Sequence, residues 1–288
     1  MDTTAYPPPA AADRQAAVDS QNGEFWNTLC GTSLATALGI TDGSEASLKK
    51  FDDWYLYRYP YLLQHVPVHT MRDKDVLEVG LGYGTLSQQI ALAGARYTGL
   101  DIAAGPVSMV NSRLEQKSLP GRAVQGSMLD CPFPDGSFDA VVSIGCFHHT
   151  GDTQRCIDEA WRVLRPGGRA CLMLYNRFSL RQWMDYPRQT AHALWRQLTL
   201  RPSGVPSTEA QRAAYDTDAQ GNAAPETQFF SGRDVRRMMR AFRDVRVTKE
   251  NCDPWIDKRT GRVVRDRMDL LSTVGKWAGL DLYIQATK

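Results

Sequence analysis

The chain has no C-x-x-C pair: its six cysteines, Cys30, Cys131, Cys146, Cys156, Cys171 and Cys252, are scattered along 288 residues. Neither a zinc ribbon nor a redox dithiol is signalled, and no metal centre is expected. No apolar run approaches the roughly 18 residues that a membrane span needs. The opening MDTTAYPPPAAADRQ lacks the basic and apolar stretches of a secretory leader. Free thiols without such a leader set a cytoplasmic expectation. What is present is ordinary for a soluble globular protein, with 42% hydrophobic and 23% charged residues. A chain of this length buries a core without staples, which excludes disulfide scaffolds, collagen-like chains and wholly disordered chains. At about 150 residues per domain the length allows two units or one elaborated α/β unit.

Basic residues are scarce at the start. Residues 1–47 hold one base, Arg14, against six acids, a net −5, so within a total of +2 residues 48–288 carry +7. Much of that excess lies between Arg177 and Arg267. Such a run is commonly a solvated face; the sharper reading is a pocket for an anionic or electron-rich acceptor. The total is too small to mark a nucleic-acid surface. A small-molecule partner is expected, with no nucleic acid and no membrane; a homo-oligomer is left open.

Four zones can be read. Residues 1–22 are rich in Pro and Ala without apolar periodicity and read as a disordered tail. Residues 23–70 concentrate aromatics, among them Trp54, Tyr55 and Tyr59, and read as an N-terminal helical cap broken at Pro60 and Pro67. Residues 71–288 read as the core domain, with lid insertions at about 177–230 and 254–280. Within the core, strands over 75–79, 97–101, 123–125, 138–144 and 169–175 alternate with helices over 85–93 and 153–164. Pro166, Gly167 and Gly168 stop the second helix. A helix over 232–242 and strands over 245–249 and 282–287 follow. The alternation predicts an α/β fold with a doubly wound, Rossmann-like, mostly parallel sheet. Ligands of such sheets bind outside the carboxyl ends of the strands, at the switch point beside the first strand.

The first strand runs into V-L-E-V-G-L-G-Y-G, with Gly80, Gly82 and Gly84 placed to turn tightly and bring backbone N–H groups against a ligand. Dinucleotide binders show G-x-G-x-x-G, whereas this run is G-x-G-x-G. Asp101, about 20 positions on at the end of the second strand, suits a ribose diol in either case. Three further motifs follow: C-P-F-P-D-G-S-F-D at 131–139, G-C-F-H-H-T at 145–150 and R-V-L-R-P-G-G at 162–168.

With these four motifs the stretch from Asp75 to Asn176 resembles the class I S-adenosylmethionine-dependent methyltransferases, in the small-molecule branch that includes the quinone-biosynthesis (type 11) enzymes. The resemblance implies a seven-stranded sheet, S-adenosylmethionine as cofactor and methyl transfer by in-line substitution. It implies that Gly80, Gly82 and Gly84 cradle the methionine part, with Glu78 near its amino group. Asp101 then takes the ribose hydroxyls and Ile102 packs on adenine. Relatives usually read G-D-A after the third strand; here Ser127 replaces the Asp, and the Met128 amide is placed to meet an adenine ring nitrogen. Ser143 to His149 line the place where the methyl group leaves. Of the adjacent His148 and His149, one is expected to face the pocket, as a proton acceptor or as an orienting group, and the other to pack behind it. Trp54 and Tyr59 from the aromatic cap, with Trp183, Tyr186 and Arg181 from the first insertion, are the candidate acceptor-binding residues.

The acceptor atom, oxygen, nitrogen or carbon, is left open, in bacterial specialised or isoprenoid metabolism. A prenyl diphosphate acceptor and a catalytically inactive S-adenosylmethionine-binding regulatory protein are the alternatives. A nicotinamide oxidoreductase fits the glycine spacing less well. A base-directed nucleic-acid methyltransferase would show D/N-P-P-Y/F where this chain has Cys146-Phe147-His148-His149.

Overall fold

The computed structural model describes residues 11–27, 34, 37–40, 42–199, 206–218, 220–257 and 259–288. Cys30 and residues 1–10 of the expected tail lie outside them. The rest of that tail is not irregular: Ala11–Phe25 is a helix, α1. α2 (Glu45–Arg58) follows, with Ser44 capping its first turn.

Ten strands are present among the described residues: β1 (Asp75–Val79), β2 (Arg96–Asp101), β3 (Arg122–Gln125), β4 (Phe138–Ile144), β5 (Leu164–Asn176), β6 (Phe229–Phe230), β7 (Arg243–Glu250), β8 (Trp255–Ile256), β9 (Val263–Arg265) and β10 (Asp281–Thr287). The main sheet runs β3-β2-β1-β4-β5-β10-β7, with the short β6 beside the end of β5. β1 to β5 are parallel, and β10 is antiparallel to both of its neighbours. This is the mostly parallel, doubly wound α/β sheet that the alternation called for.

The two faces of the sheet follow from β1 itself. Leu77 and Val79 point into one core with Ile157 and Ala160 of α5 (Thr153–Val163); Val76 points into the other with Leu86 and Ile90 of α3 (Thr85–Leu92) and Leu114 of α4 (Ala104–Gln116). Successive residues of a strand face opposite sides, so a strand covered on both faces reads as one apolar run. α4 has no counterpart in the sequence reading. Its third residue is Pro106, which is tolerated in a first helical turn.

β5 also begins earlier than the reading placed it, at Leu164. The Pro-Gly-Gly run does not end the pairing but bulges it: Phe138 faces Leu164 while Ala140 faces Arg169, and Gly167 sits at φ +80°.

The first insertion holds α6 (Leu180–Asp185), α7 (Pro187–Leu198) and α8 (Glu209–Ala213) before β6. α9 (Gly232–Met238) then stops short of the expected Phe242. The second insertion is the β8–β9 hairpin, a separate two-stranded sheet, followed by α10 (Arg267–Leu271) and α11 (Val274–Ala278). Among the described residues no helix is long and apolar enough to cross a membrane.

A buried ion pair fastens α2 to the helices beside the glycine loop. The Arg113 side chain is 1% exposed and donates to Asp52 Oδ2 at 2.7 Å, while Thr85 Oγ1 donates to Asp52 Oδ1 at 2.6 Å. Asp52 therefore joins α2 to α3 and α4 where the glycine loop enters α3. Truncating one partner leaves a buried cation unpaired, which typically costs about 3–5 kcal/mol. Asp52→Ala is expected to lower the unfolding free energy by about 3 kcal/mol, read from urea transitions of both chains.

Candidate active site

A cavity of ≈ 290 Å³ opens at the carboxyl ends of β1, β2, β4 and β5. It lies where the strand order reverses between β1 and β4, the crevice that this topology leaves for a ligand. Its floor is set by a close approach. Gly80 sits at φ +80°, and a Cβ there would lie 2.3 Å from Cys146 Cβ. Gly84, at φ +77°, starts α3; a Cβ on it would lie 2.9 Å from Val110. Only glycine meets both demands at Gly80, a left-handed backbone and no side-chain volume.

Of the residues expected to hold the cofactor, Glu78, Gly80, Gly82, Gly84, Asp101, Ile102, Ser127 and Met128 all line this cavity. Asp101 is aimed by the backbone: Leu81 N–H donates to Oδ2 at 2.7 Å and Ala103 N–H to Oδ1 at 2.9 Å. Each oxygen keeps a lone pair for a ribose hydroxyl. Ser127 has a second duty, since its hydroxyl accepts from Leu129 N–H at 3.2 Å as the cap of a short turn. Ser143 is buried within β4 and is not part of the wall.

Glu78 is fully buried, and Oε2 accepts from Ser87 Oγ at 2.5 Å and Tyr97 OH at 2.7 Å. Burial raises its pKa to about 7, against the lowering pull of those two hydroxyls. A buried carboxyl poised this way is suited to ionise against an incoming ammonium. The set as a whole, a carboxylate with lone pairs free for a diol, a buried acid and apolar Ile102 and Met128, fits S-adenosylmethionine.

The opposite end of the cavity is built around His149. The strand-end turn Phe147–His149 follows Gly145, at φ +81°. Asn22 Nδ2 donates to the His149 carbonyl at 2.7 Å and Gln228 N–H to the His148 carbonyl at 2.8 Å, which fixes the turn. His149 Nδ1 lies 2.7 Å from the Glu226 carbonyl. A carbonyl only accepts, so Nδ1 carries a proton, and in the neutral ring the lone pair lies on Nε2. Asp216 Oδ2 stands 3.6 Å from Nε2 and accepts from Tyr175 OH at 2.9 Å. Burial raises the Asp216 pKa and holds Tyr175 far above the usual phenol value, so Tyr175 stays a donor. His148 is fully buried behind this group, its ring 4.2 Å from that of His149 and 4.1 Å from Tyr175. Burial holds its pKa well below that of free imidazole.

The expected acceptor residues divide. Tyr59 lines the cavity; Trp54 lies behind it against the rings of Phe51 and Tyr59. Trp183, Tyr186 and Arg181 are not in the wall. Trp183 is 38% exposed and stacks on Phe178. The Tyr186 hydroxyl is spent on the Ala210 carbonyl. Arg181 is held by Asp253 at 2.8 Å and lies 4.5 Å over the Tyr215 ring. Their places are taken by residues the sequence reading did not single out: Tyr175, Asp216, Tyr283, Asn22 and Trp26. Tyr175 was within reach, because it stands at the carboxyl end of β5. Asp216 sits in irregular chain after α8 and carried no signal.

Fold and cavity define an α/β crevice with a glycine-loop end and a second, aromatic compartment. The comparisons narrow this. Residues 77–172 match the family described as "Methyltransferase domain". A demethylmenaquinone methyltransferase of Tropheryma whipplei is 36% identical over 97 residues, 33% of this chain and 39% of that protein. A fatty-acid O-methyltransferase of Mycolicibacterium smegmatis is 35% identical over 136 residues, 44% of this chain and 48% of that protein. The matches thus span less than half of either relative. An S-adenosylmethionine-dependent methyltransferase of Methanosarcina mazei shares the fold, with a TM-score of 0.51 and 20% identity over 77% of this chain and 96% of that one. Residues 77–172 thus match a methyltransferase domain, on a fold shared with S-adenosylmethionine-dependent methyltransferases.

Glu78 provides a test by pH. The unfolded carboxyl ionises near 4.5 and the folded one near 7, so between these values the unfolded state binds fewer protons and stability falls as pH rises. In Glu78→Gln the amide oxygen can still accept from Ser87 and Tyr97. The decline between pH 4.5 and 7 should shrink, leaving the apo variant more stable at pH 8 by up to about 3 kcal/mol. Urea midpoints across that range check it.

Proposed function

We propose that the protein is an enzyme that transfers a methyl group from S-adenosylmethionine to a small-molecule acceptor by in-line substitution. One observation supports this above the rest: the carboxylate suited to the ribose and the His149–Asp216–Tyr175 group line a single cavity. When bound, the cofactor supplies an electrophilic sulfonium methyl. Asp101 and Glu78 would hold its ribose and amino group, and the glycine loop would follow its chain. The walls exclude water and align the acceptor, which supplies much of the rate in such a substitution. His149 Nε2 would accept the acceptor's proton, and Asp216 would stabilise the resulting imidazolium. Tyr175 orients Asp216.

Lysine and arginine are absent from the wall among the described residues, so a diphosphate would find no cation there. That weighs against a prenyl diphosphate acceptor. The demethylmenaquinone relative supports a setting in isoprenoid or specialised metabolism, and a cytoplasmic location belongs to the same proposal. A regulatory protein that binds the cofactor without turnover is the second reading; it is favoured if S-adenosylhomocysteine binds and no acceptor is methylated.

Titration calorimetry with S-adenosylhomocysteine should give binding in the wild type that weakens at least about tenfold in Asp101→Ala, as expected for lost hydrogen bonds to a charged group. NADH should not compete. Once an acceptor is in hand, His149→Ala should slow methyl transfer by about 10²–10³-fold while still binding S-adenosylhomocysteine. Tight NADH binding, or no binding of S-adenosylhomocysteine, would sink the proposal.

A further inference from the structure

The acceptor end of the cavity offers hydrogen-bond acceptors and almost nothing to meet an anion. Asp19, Asn22 and Asp216 line it, the wall is closed by the rings of Trp26, Tyr59 and Tyr175, and no lysine or arginine reaches it among the described residues. Arg181, the base expected there, is consumed by Asp253. A second observation is independent of the carboxylates. Asn22 is 4% exposed, and its Oδ1 has no hydrogen-bond partner among the described residues. Its amide cannot turn round, because Nδ2 donates to the His149 carbonyl at 2.7 Å and a flip would set two oxygens face to face. A buried acceptor left unpaired costs stability unless a ligand supplies the missing donor.

From this end wall, and resting on the methyl-transfer reading above, we infer that the acceptor carries a basic nitrogen on an apolar or aromatic body. Its ammonium is recognised by Asp216 and Asn22 Oδ1 within the aromatic rings, and that nitrogen is the methylated atom. Aromatic faces and carboxylates together are the usual recognition of organic cations in dry sites. The step balances. The ammonium gives one proton to His149 Nε2, leaving a neutral amine beside Asp216. The nitrogen lone pair forms the N–C bond as the C–S bond breaks, its electron pair staying on sulfur. The products are the N-methylammonium, S-adenosylhomocysteine and imidazolium.

The test uses three probes of one size: 2-phenylethylamine, 2-phenylethanol and 3-phenylpropanoate. Each is titrated into the full chain with and without S-adenosylhomocysteine. The amine is expected to bind about tenfold more tightly than the alcohol, and the carboxylate not at all. Asp216→Asn should lower amine affinity about tenfold, and Asn22→Ala should lower it severalfold. Both variants should keep wild-type affinity for S-adenosylhomocysteine, which shows that they fold. The inference is overturned if the alcohol or carboxylate binds as well as the amine, if the amine does not bind, or if both variants bind it unchanged. A chain that takes the amine but not S-adenosylhomocysteine contradicts the cofactor reading alone. One that takes S-adenosylhomocysteine and ignores the amine contradicts the acceptor reading alone.

Discussion

The ends of β1 and β4 approach so closely at Gly80 and Cys146 that no side chain fits between them. That contact sets the floor on which the glycine loop turns, and the loop in turn sends its chain into α3 beneath α2. Asp101 is oriented from the same place, since Leu81 of the loop donates to its carboxylate. The buried Arg113–Asp52 pair holds α2 over the loop from the other side. The steric constraint at the switch point and this ion pair thus fix the loop, the Asp101 carboxylate and the cap.

The second compartment obeys a different logic. Its parts come from chain segments far apart in sequence: α1 brings Asn22, the turn after β4 brings His149, the end of β5 brings Tyr175, and irregular chain after α8 brings Asp216. They are joined by polar contacts rather than by a shared apolar core. The proton on His149 Nδ1 is assigned by one backbone carbonyl, and that assignment turns the basic nitrogen toward Asp216. Burial works against charge throughout this region. Asp281, which lies beneath it against Asn251, has its pKa raised to about 7 by desolvation.

The parallel sheet and the gathering of the glycine loop and Asp101 in one cavity were legible in the sequence because they rest on local signals. A strand buried on both faces reads as an apolar run, a tight turn needs glycine, and Asp101 follows at a set spacing. The histidine end was not legible, for physical reasons that differ from residue to residue. Asn22 lies in a segment whose Pro and Ala content suggested no structure, yet α1 forms and contacts the turn after β4. Trp183 and Arg181 looked like pocket residues by type, but Asp253, 72 positions beyond Arg181, claims the guanidinium. No pattern of spacing announces a pairing of that kind. The Pro-Gly-Gly run was read as the stop of the helix before it, and that helix does end at Val163; the reading missed that the run itself belongs to β5, as a bulge.

In the proposed reaction Asp101 and the histidine compartment serve one reaction centre. The most direct measurement is a crystal structure of the chain with S-adenosylhomocysteine bound. The ribose hydroxyls are expected on Asp101, with the thioether sulfur turned toward His149 and Tyr175. A sulfur turned away from His149, or a nucleoside seated elsewhere, would contradict the account.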